Sequence, residues 1–523
     1  MDNSLKEKFS RFCAGGVLVM TLCFMAVLTV QAFVGTASVT TGGGDGEVLS
    51  FSRDNAFINI LLSAAFFAPM YFLLKVLEKI SARALTAALV LWAVILSAAF
   101  VCSAKLQPSQ DSYIITFFAS QAAKGDYSYY HEYFCFFPYQ FGFALYEELF
   151  FRLFYLILPD APEGFAALSV QLMNVLYNAL TFLALVKISR VLFKSERAEK
   201  MTALLLFLCF QPMLFTTFMY GNTPALAFAV LAVWMFLLFQ ESGKVKYALL
   251  CTAFISIGTL LKLNTLIYVV AISIVWLISV IRKPSLRSLL LMLLMIASVL
   301  ILKPLPQRYY EAKMGEELGK GIPQSGWLAM GLHEGQSGPG WYDPTYTTTA
   351  FIASDYAPDV CAGTAKSAIS ERLAEFAKDP GGALKFFGRK LSSQWNEPSY
   401  ESLWTNQVRR SYSSSGEIYA FVCENHADEV YMLMNIYQQC VFAAFTAGLV
   451  LLMKKRDINT VLLPLVILGA MLYHIMFEAK SQYALGYFML MMPVAAFALD
   501  RIFALISGRK EPKRWKTETS PKK

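Results

Sequence analysis

Apolar runs that approach or exceed the length needed to cross a hydrocarbon core of about 30 Å recur twelve times in this chain. They lie near Phe12 to Gly35, Ala56 to Leu74, Leu85 to Ala104, Phe165 to Val186, Met201 to Phe218, Pro224 to Phe239, Tyr247 to Leu261, Thr265 to Ile281, Leu289 to Leu302, Met432 to Met453, Val461 to Phe477 and Tyr483 to Ile506. In lipid every backbone N–H and C=O must be satisfied within the protein, so each run is expected as a helix rather than an open strand. Only 16% of the 523 residues are charged, against about a quarter in soluble domains, and 56% are hydrophobic. The expected fold class is an all-α polytopic membrane protein with about twelve transmembrane helices.

Lysine and arginine concentrate on the cytoplasmic side of short loops. Lys6, Lys8 and Arg11 precede the first run, Lys75, Lys79 and Arg83 follow the second, and Lys187, Arg190, Lys194, Arg197 and Lys200 follow the fourth. With a twelve-helix count these fall on one side, together with Lys244, Lys246, Arg282, Lys283, Arg287, Lys454, Lys455 and Arg456 and the tail residues Arg509, Lys510, Lys513, Arg514 and Lys516. The expectation is a multi-pass plasma-membrane protein with both termini cytoplasmic. The net charge of +8 is accounted for by anchors that meet anionic lipid, and it gives no support to a nucleic-acid partner. The first run is too long for a signal peptide and lacks a small-residue cleavage site, so it is expected as a retained span.

Two longer segments interrupt this rhythm, both on the outer side. The expected organisation is therefore three helices in 1–104, an outer-face segment with interfacial helices in 105–163, helices four to nine in 164–303, a small, mainly helical outer cap in 304–431, the last three helices in 432–506 and a basic cytoplasmic tail in 507–523. In the first segment a helix should start after Ser109 to Asp111, and "FGFALYEELFFRLFYLIL" (141–158) should lie in the headgroup plane with Glu148 and Arg152 paired at i,i+4. In the cap, helices are expected over Thr364 to Lys378 and, after a break at Pro380-Gly381, over Gly382 to Gln394. Nine cysteines show no metal-type spacing; Cys361 and Cys423 share the cap and could pair in an oxidising compartment.

Chemistry should be sought where polar residues meet the outer ends of apolar runs. Asp111, in "QPSQDSY", is either a helix cap or a carboxylate whose pKa is raised at the membrane boundary into a general base's range. "GDYSYYHEYFCFFPYQFG" (125–142) sets Asp126, His131, Glu132, Tyr139 and Gln140 among aromatic rings, a pattern that suits sugars and equally an interfacial belt. Lys262 and Asn264 in "LLKLNTL" sit at a short outer turn, where the ammonium is either a snorkelling anchor or a contact for a lipid phosphate. "HIMFEAKSQY" (474–483) groups His474, Glu478, Lys480 and Gln482; His474 and Glu478 suggest a metal pair without a third ligand. "KLSSQWNEPSYESLW" (390–404) is either an acceptor platform or the core of the cap, the latter favoured for its tryptophans. No Walker A loop, G-x-S-x-G elbow, H-E-x-x-H or Gly-rich nucleotide fingerprint is present.

An outer aspartate after a span, then "ASQAAKGD" (119–126), an aromatic run ending in "PYQFG", "LLKLN" before a span and "FEAKSQY" before the last one together resemble the GT-C superfamily of membrane glycosyltransferases. The similarity is to the bacterial branch that resembles dolichyl-phosphate-mannose protein mannosyltransferases. What the resemblance implies is a GT-C-like fold and an inverting transfer of a sugar from a polyprenyl-phosphate donor to an envelope acceptor, a cell-wall polymer, lipid-linked glycan or protein, at the outer face. In that reading Asp111 deprotonates the acceptor hydroxyl, Lys262 and Lys480 hold the donor phosphate, and Asp126, His131, Glu132, Tyr139, Gln140, Asn264, His474, Glu478 and Gln482 bind substrate. No cofactor is required by the pattern, and a divalent metal stays open. The competing reading is a glycan polymerase or ligase, or a lipid-linked sugar transporter; a transporter would carry charges at mid-membrane and broken, repeated helices.

Overall fold

The computed structural model describes residues 3–41, 46–159, 163–409, 411 and 413–508; the basic tail from Arg509 onward lies outside them. In chain order the first half comprises α1 (Asn3–Val34), β1 (Gly35–Thr41), β2 (Glu47–Arg53), α2 (Ala56–Leu77), α3 (Ala82–Ala104), α4 (Gln110–Ala123), α5 (His131–Phe136), α6 (Phe141–Ile157), α7 (Glu163–Phe193), α8 (Glu196–Phe207), α9 (Gln211–Leu214), α10 (Asn222–Ser242), α11 (Val245–Leu261), α12 (Leu266–Arg282) and α13 (Leu286–Leu302). The remainder comprises α14 (Leu305–Met314), α15 (Gln324–Leu332), α16 (Thr348–Ala353), α17 (Pro358–Lys378), α18 (Pro380–Trp395), α19 (Ser402–Gln407), α20 (Glu417–Tyr419), α21 (Ala427–Met453), α22 (Leu462–Met476) and α23 (Ser481–Ile506).

Each of the twelve apolar runs is helical, but twelve full-length spans is a correction to make. Among the described residues nine helices are long and apolar enough to cross a membrane, or ten if α8 and α9 with the 3-10 turn after it form one broken span bent by 52°. The apolar helices α11 and α22 have 17 and 15 residues and reach only about 25 Å and 22 Å at 1.5 Å per residue. The protein is nonetheless an all-α polytopic membrane protein apart from one unanticipated element. Strands β1 and β2 pair antiparallel as the two arms of a hairpin, registered from Gly35 opposite Arg53 to Thr41 opposite Glu47.

The largest buried cluster runs through α1, α7, α8, α10, α12, α21, α22 and α23. Charged groups segregate to two ends of this bundle. At one end Arg197 joins Glu78 and Asp500, and Lys187 meets Glu199 at 2.8 Å. At the other, here called the cap end, the hairpin, the segment around α4 to α6 and the helices from α14 to α20 come together.

Buried polar groups tie the cap end down. Glu148 accepts hydrogen bonds from Arg152 Nε (2.8 Å), Tyr309 (3.0 Å) and Tyr310 (2.7 Å), joining α6 to α14. The Lys390 ammonium is 1% exposed and donates to the carbonyls of Gly331, Ile475 and Phe477, thereby closing the C-terminal ends of α15 and α22. An ammonium has three donors, and here each finds a carbonyl left free at a helix end.

Local expectations need three further corrections. The first long cap helix starts at Pro358 rather than Thr364, and Pro380 opens the next helix instead of breaking it, because the N–H that proline lacks would have no intrahelical partner in the first turn. Asp379 caps that helix by accepting from Gly382 N–H at 2.9 Å. Cys361 and Cys423 are both free thiols buried in separate clusters, so they do not pair.

Candidate active site

Asp111 does not cap α4. Ser109 is the N-cap, and Ser112 at the third helical position reaches back to it, its hydroxyl accepting from Ser109 N–H at 3.1 Å and donating to Ser109 C=O at 2.7 Å. Asp111 stands in the first turn with its carboxylate turned into a cavity of about 1420 Å³, lined also by Tyr139, Tyr220, Trp327, Glu401, Arg409 and Lys480. The carboxylate is open to cavity water yet ringed on the wider scale by protein. That surrounding desolvation holds its pKa above the ordinary aspartate range, against the opposing pull of Lys480 and Lys262.

The break between α8 and α10 supplies one wall. Pro212 interrupts the helix, and the freed carbonyls are taken up by side-chain amides: Asn174 donates to Thr216 (3.1 Å) and Phe218 (3.0 Å), and Asn406 to Leu214 (3.1 Å). This fixes Tyr220, whose hydroxyl donates to Asp111 Oδ2 at 3.5 Å and accepts from the Gln140 amide. Two glycines let the neighbouring helices close in. A Cβ on Gly142 would stand 1.9 Å from the Leu260 carbonyl oxygen, and one on Gly221 2.2 Å from that of Leu261.

The following residue, Lys262, is thereby set with its ammonium 4.0 Å from the Tyr220 ring centre and 5.2 Å from that of Tyr483. Burial pushes its pKa down to about 7, although Glu478 and Asp111 pull the other way. Lys262 and Asn264 line two smaller cavities, of about 730 and 660 Å³, that share Tyr483 with the Asp111 cavity.

The connection from α22 to α23 forms the opposite wall. His474 is buried and its Nδ1 lies 2.8 Å from the Glu478 carbonyl oxygen, while its ring stacks on Tyr483. Glu478 accepts from the Tyr483 hydroxyl at 3.1 Å, and Gln482 accepts from Asn222 at 3.2 Å. Lys480 lies 2.5 Å from Glu47 and 3.8 Å from the buried Glu401. Burial opposes its charge, but these carboxylates outweigh it and hold the ammonium above the ordinary lysine range. Ser481 bridges Glu401 (2.9 Å) and Glu397 (3.2 Å), so the stretch with Trp395 and Tyr400 packs against the bundle as core while Trp404 faces the cavity.

The structure thus brings Asp111, Tyr139, Gln140, Lys262, Asn264, His474, Glu478, Lys480 and Gln482 into one connected set of cavities. Asp126, His131 and Glu132 are not among them. Asp126 is exposed and binds Ser128, His131 lies 3.2 Å from Glu316, and Glu132 accepts from Tyr356 at 2.6 Å. Residues that sequence reasoning missed are Tyr220, Glu47, Glu401 and above all Arg409. The Arg409 guanidinium is buried, donates to the Thr217 carbonyl at 3.1 Å and lies 4.4 Å over the Phe218 ring. Among the described residues no carboxylate pairs with it, and burial pushes its pKa down to about 9. Among those residues, too, no group of three or more His, Cys, Asp or Glu is placed to hold a metal ion.

Comparison with known proteins follows from this geometry. The sequence model of the dolichyl-phosphate-mannose-protein mannosyltransferase family matches residues 145–305, which include Lys262 and Asn264 but neither Asp111 nor the 474–482 wall. No curated protein matches the sequence. Among solved structures, the chain is similar to the crystal structure of ArnT from Cupriavidus metallidurans bound to undecaprenyl phosphate, at 14% identity over 83% of this chain and 81% of that one. The TM-score is 0.33, too low to carry any residue across. The likeness to the dolichyl-phosphate-mannose-protein mannosyltransferases is thus a similarity over residues 145–305, under a third of the chain.

Proposed function

We propose that the protein transfers a sugar from a polyprenyl-phosphate donor to an envelope acceptor, with inversion at the anomeric carbon, at the extracytoplasmic face of the plasma membrane. The observation that carries this reading is the Asp111 carboxylate facing a cavity that also holds Arg409, a cation that pairs with no carboxylate among the described residues. The acceptor oxygen attacks the anomeric carbon as its proton passes to the Asp111 carboxylate. The bond from that carbon to the phosphate oxygen breaks, and its electron pair stays on the phosphate. Arg409 and Lys262 are the cations we assign to the charge that grows there, with Lys480 a third once it is released from Glu47. Tyr220 and Gln140 orient the base, while Tyr139 and Trp327 offer ring faces to a sugar.

Membranes containing the protein should consume a polyprenyl-phosphate monosaccharide. Consumption of only a diphosphate-linked oligosaccharide would instead favour a polymerase or ligase.

A further inference from the structure

A separate cavity of about 1090 Å³ lies beside the site, between the start of α6, the turn after α11, the α13–α14 junction and the loop before α15. Tyr139 and Trp327 line it, and they also line both the Asp111 cavity and the smaller one beside Lys262 and Glu478. These two rings are the common wall of all three spaces, so a molecule seated in the outer one has a short path past them to Asp111.

The chemistry of this cavity differs from that of its neighbour. Four carboxylates line the Asp111 cavity, Glu47, Asp111, Glu401 and Glu478. Here, among the described residues, no carboxylate lines the wall and the charged groups are Lys303 and Lys320, neither of them paired with an acid. The rest of the wall is largely apolar, with Leu260, Leu263 and Ile322.

The position of the cavity relative to lipid adds the second half of the argument. Lys303 directly follows α13, whose last turn carries Leu300 and Ile301, each 65% exposed. A cation placed at the end of an apolar, lipid-facing helix sits at headgroup depth, where an anionic headgroup is attracted to it. Lys303 at this depth, with Lys320 from the loop before α15 on the same cavity beside an apolar wall, matches an amphiphile whose chains stay in the bilayer along α13 while its headgroup turns inward.

The geometry points to this cavity as the acceptor's site, and to an acceptor that is a membrane-embedded amphiphile bearing a phosphate-type anion. The assignment rests on the glycosyl-transfer reading for the word acceptor; the site and its ligand class do not. A hydroxyl carried by the headgroup of that amphiphile would pass between Tyr139 and Trp327 to meet the Asp111 carboxylate.

The test is binding to the purified full-length protein, followed by native mass spectrometry, with undecaprenyl phosphate held at saturation to occupy the donor side. Dioleoyl phosphatidic acid should bind and dioleoyl phosphatidylcholine should not. K303Q/K320Q, two surface changes, should weaken phosphatidic acid about tenfold or more while leaving undecaprenyl phosphate unaffected. Glycerol 3-phosphate, the same headgroup without chains, should bind far more weakly. Unchanged phosphatidic acid binding in K303Q/K320Q overturns the proposal, and glycerol 3-phosphate binding as tightly as the lipid overturns its membrane-embedded ligand. Failure of undecaprenyl phosphate to bind at all would count against the proposed donor and not against this site, because the phosphatidic acid arm reads Lys303 and Lys320 without it.

Discussion

The ammonium of Lys480 lies 2.5 Å from the carboxylate of Glu47, a residue that begins the second strand of the hairpin between the first two membrane helices. The hairpin is fixed at the cap end by Ala37 N–H to Asn396 C=O and Leu49 N–H to Ser337 C=O, both 3.2 Å. In the proposed reaction Glu47 therefore competes with the donor phosphate for this cation. E47Q should tighten binding of undecaprenyl phosphate by about threefold to tenfold, as expected when one competing charge is removed. A titration showing weaker binding would mean that Glu47 only orients Lys480.

Arg409 lines the Asp111 cavity and pairs with no acid among the described residues. R409Q keeps much of the side-chain volume and loses the charge, so the dissociation constant for undecaprenyl phosphate should rise by about tenfold to a hundredfold. The thermal midpoint of the variant, measured alongside, separates this from loss of the contact with Thr217.

Lys262 gives the reaction a basic limb. Its pKa of about 7 means that the cation is present below that pH and lost as pH rises through it. The acidic limb comes from Asp111, which must be deprotonated to act and whose pKa is raised, so activity falls as pH drops through a value above the ordinary aspartate range. The pH profile of kcat/KM should accordingly be bell-shaped. K262R keeps its charge to beyond about pH 12, so the basic limb should disappear while the acidic one stays. An unaltered basic limb would remove Lys262 from the donor site.

Lys390 holds the cap to the bundle through three backbone carbonyls. K390M leaves those carbonyls buried without donors, a change worth about 3 kcal/mol or more. The thermal midpoint in detergent should fall by about 5 °C or more. A midpoint equal to that of the parent protein would show that water replaces the ammonium.

What could be read from the sequence followed from where polar residues interrupt apolar runs. Gln140, Lys262, Glu478, Lys480 and Gln482 each stand just beyond an apolar stretch, and all reach the site. Asp126, His131 and Glu132 were grouped with them by proximity in sequence, but the turn into α5 carries them to contacts with Ser128, Glu316 and Tyr356 instead. Glu47 lies between two spans, where the alternation in "GTASVTT" and "EVLSFSR" is a two-residue period that signals strand but carries no sign of a contact with Lys480. Arg409 is not marked in the sequence, since its distinction is burial without an acidic partner among the described residues, and nothing local in "QVRR" encodes that.

The central claim is that Asp111 takes the acceptor's proton. The most direct measurement is the single-turnover rate of sugar transfer by D111N with undecaprenyl-phosphate sugar bound and the dissociation constant for undecaprenyl phosphate measured in parallel. A general base contributes about 100-fold to 10,000-fold, so the rate should fall at least about 100-fold with donor binding little changed. A D111N protein that transfers sugar at near the parent rate would contradict the account.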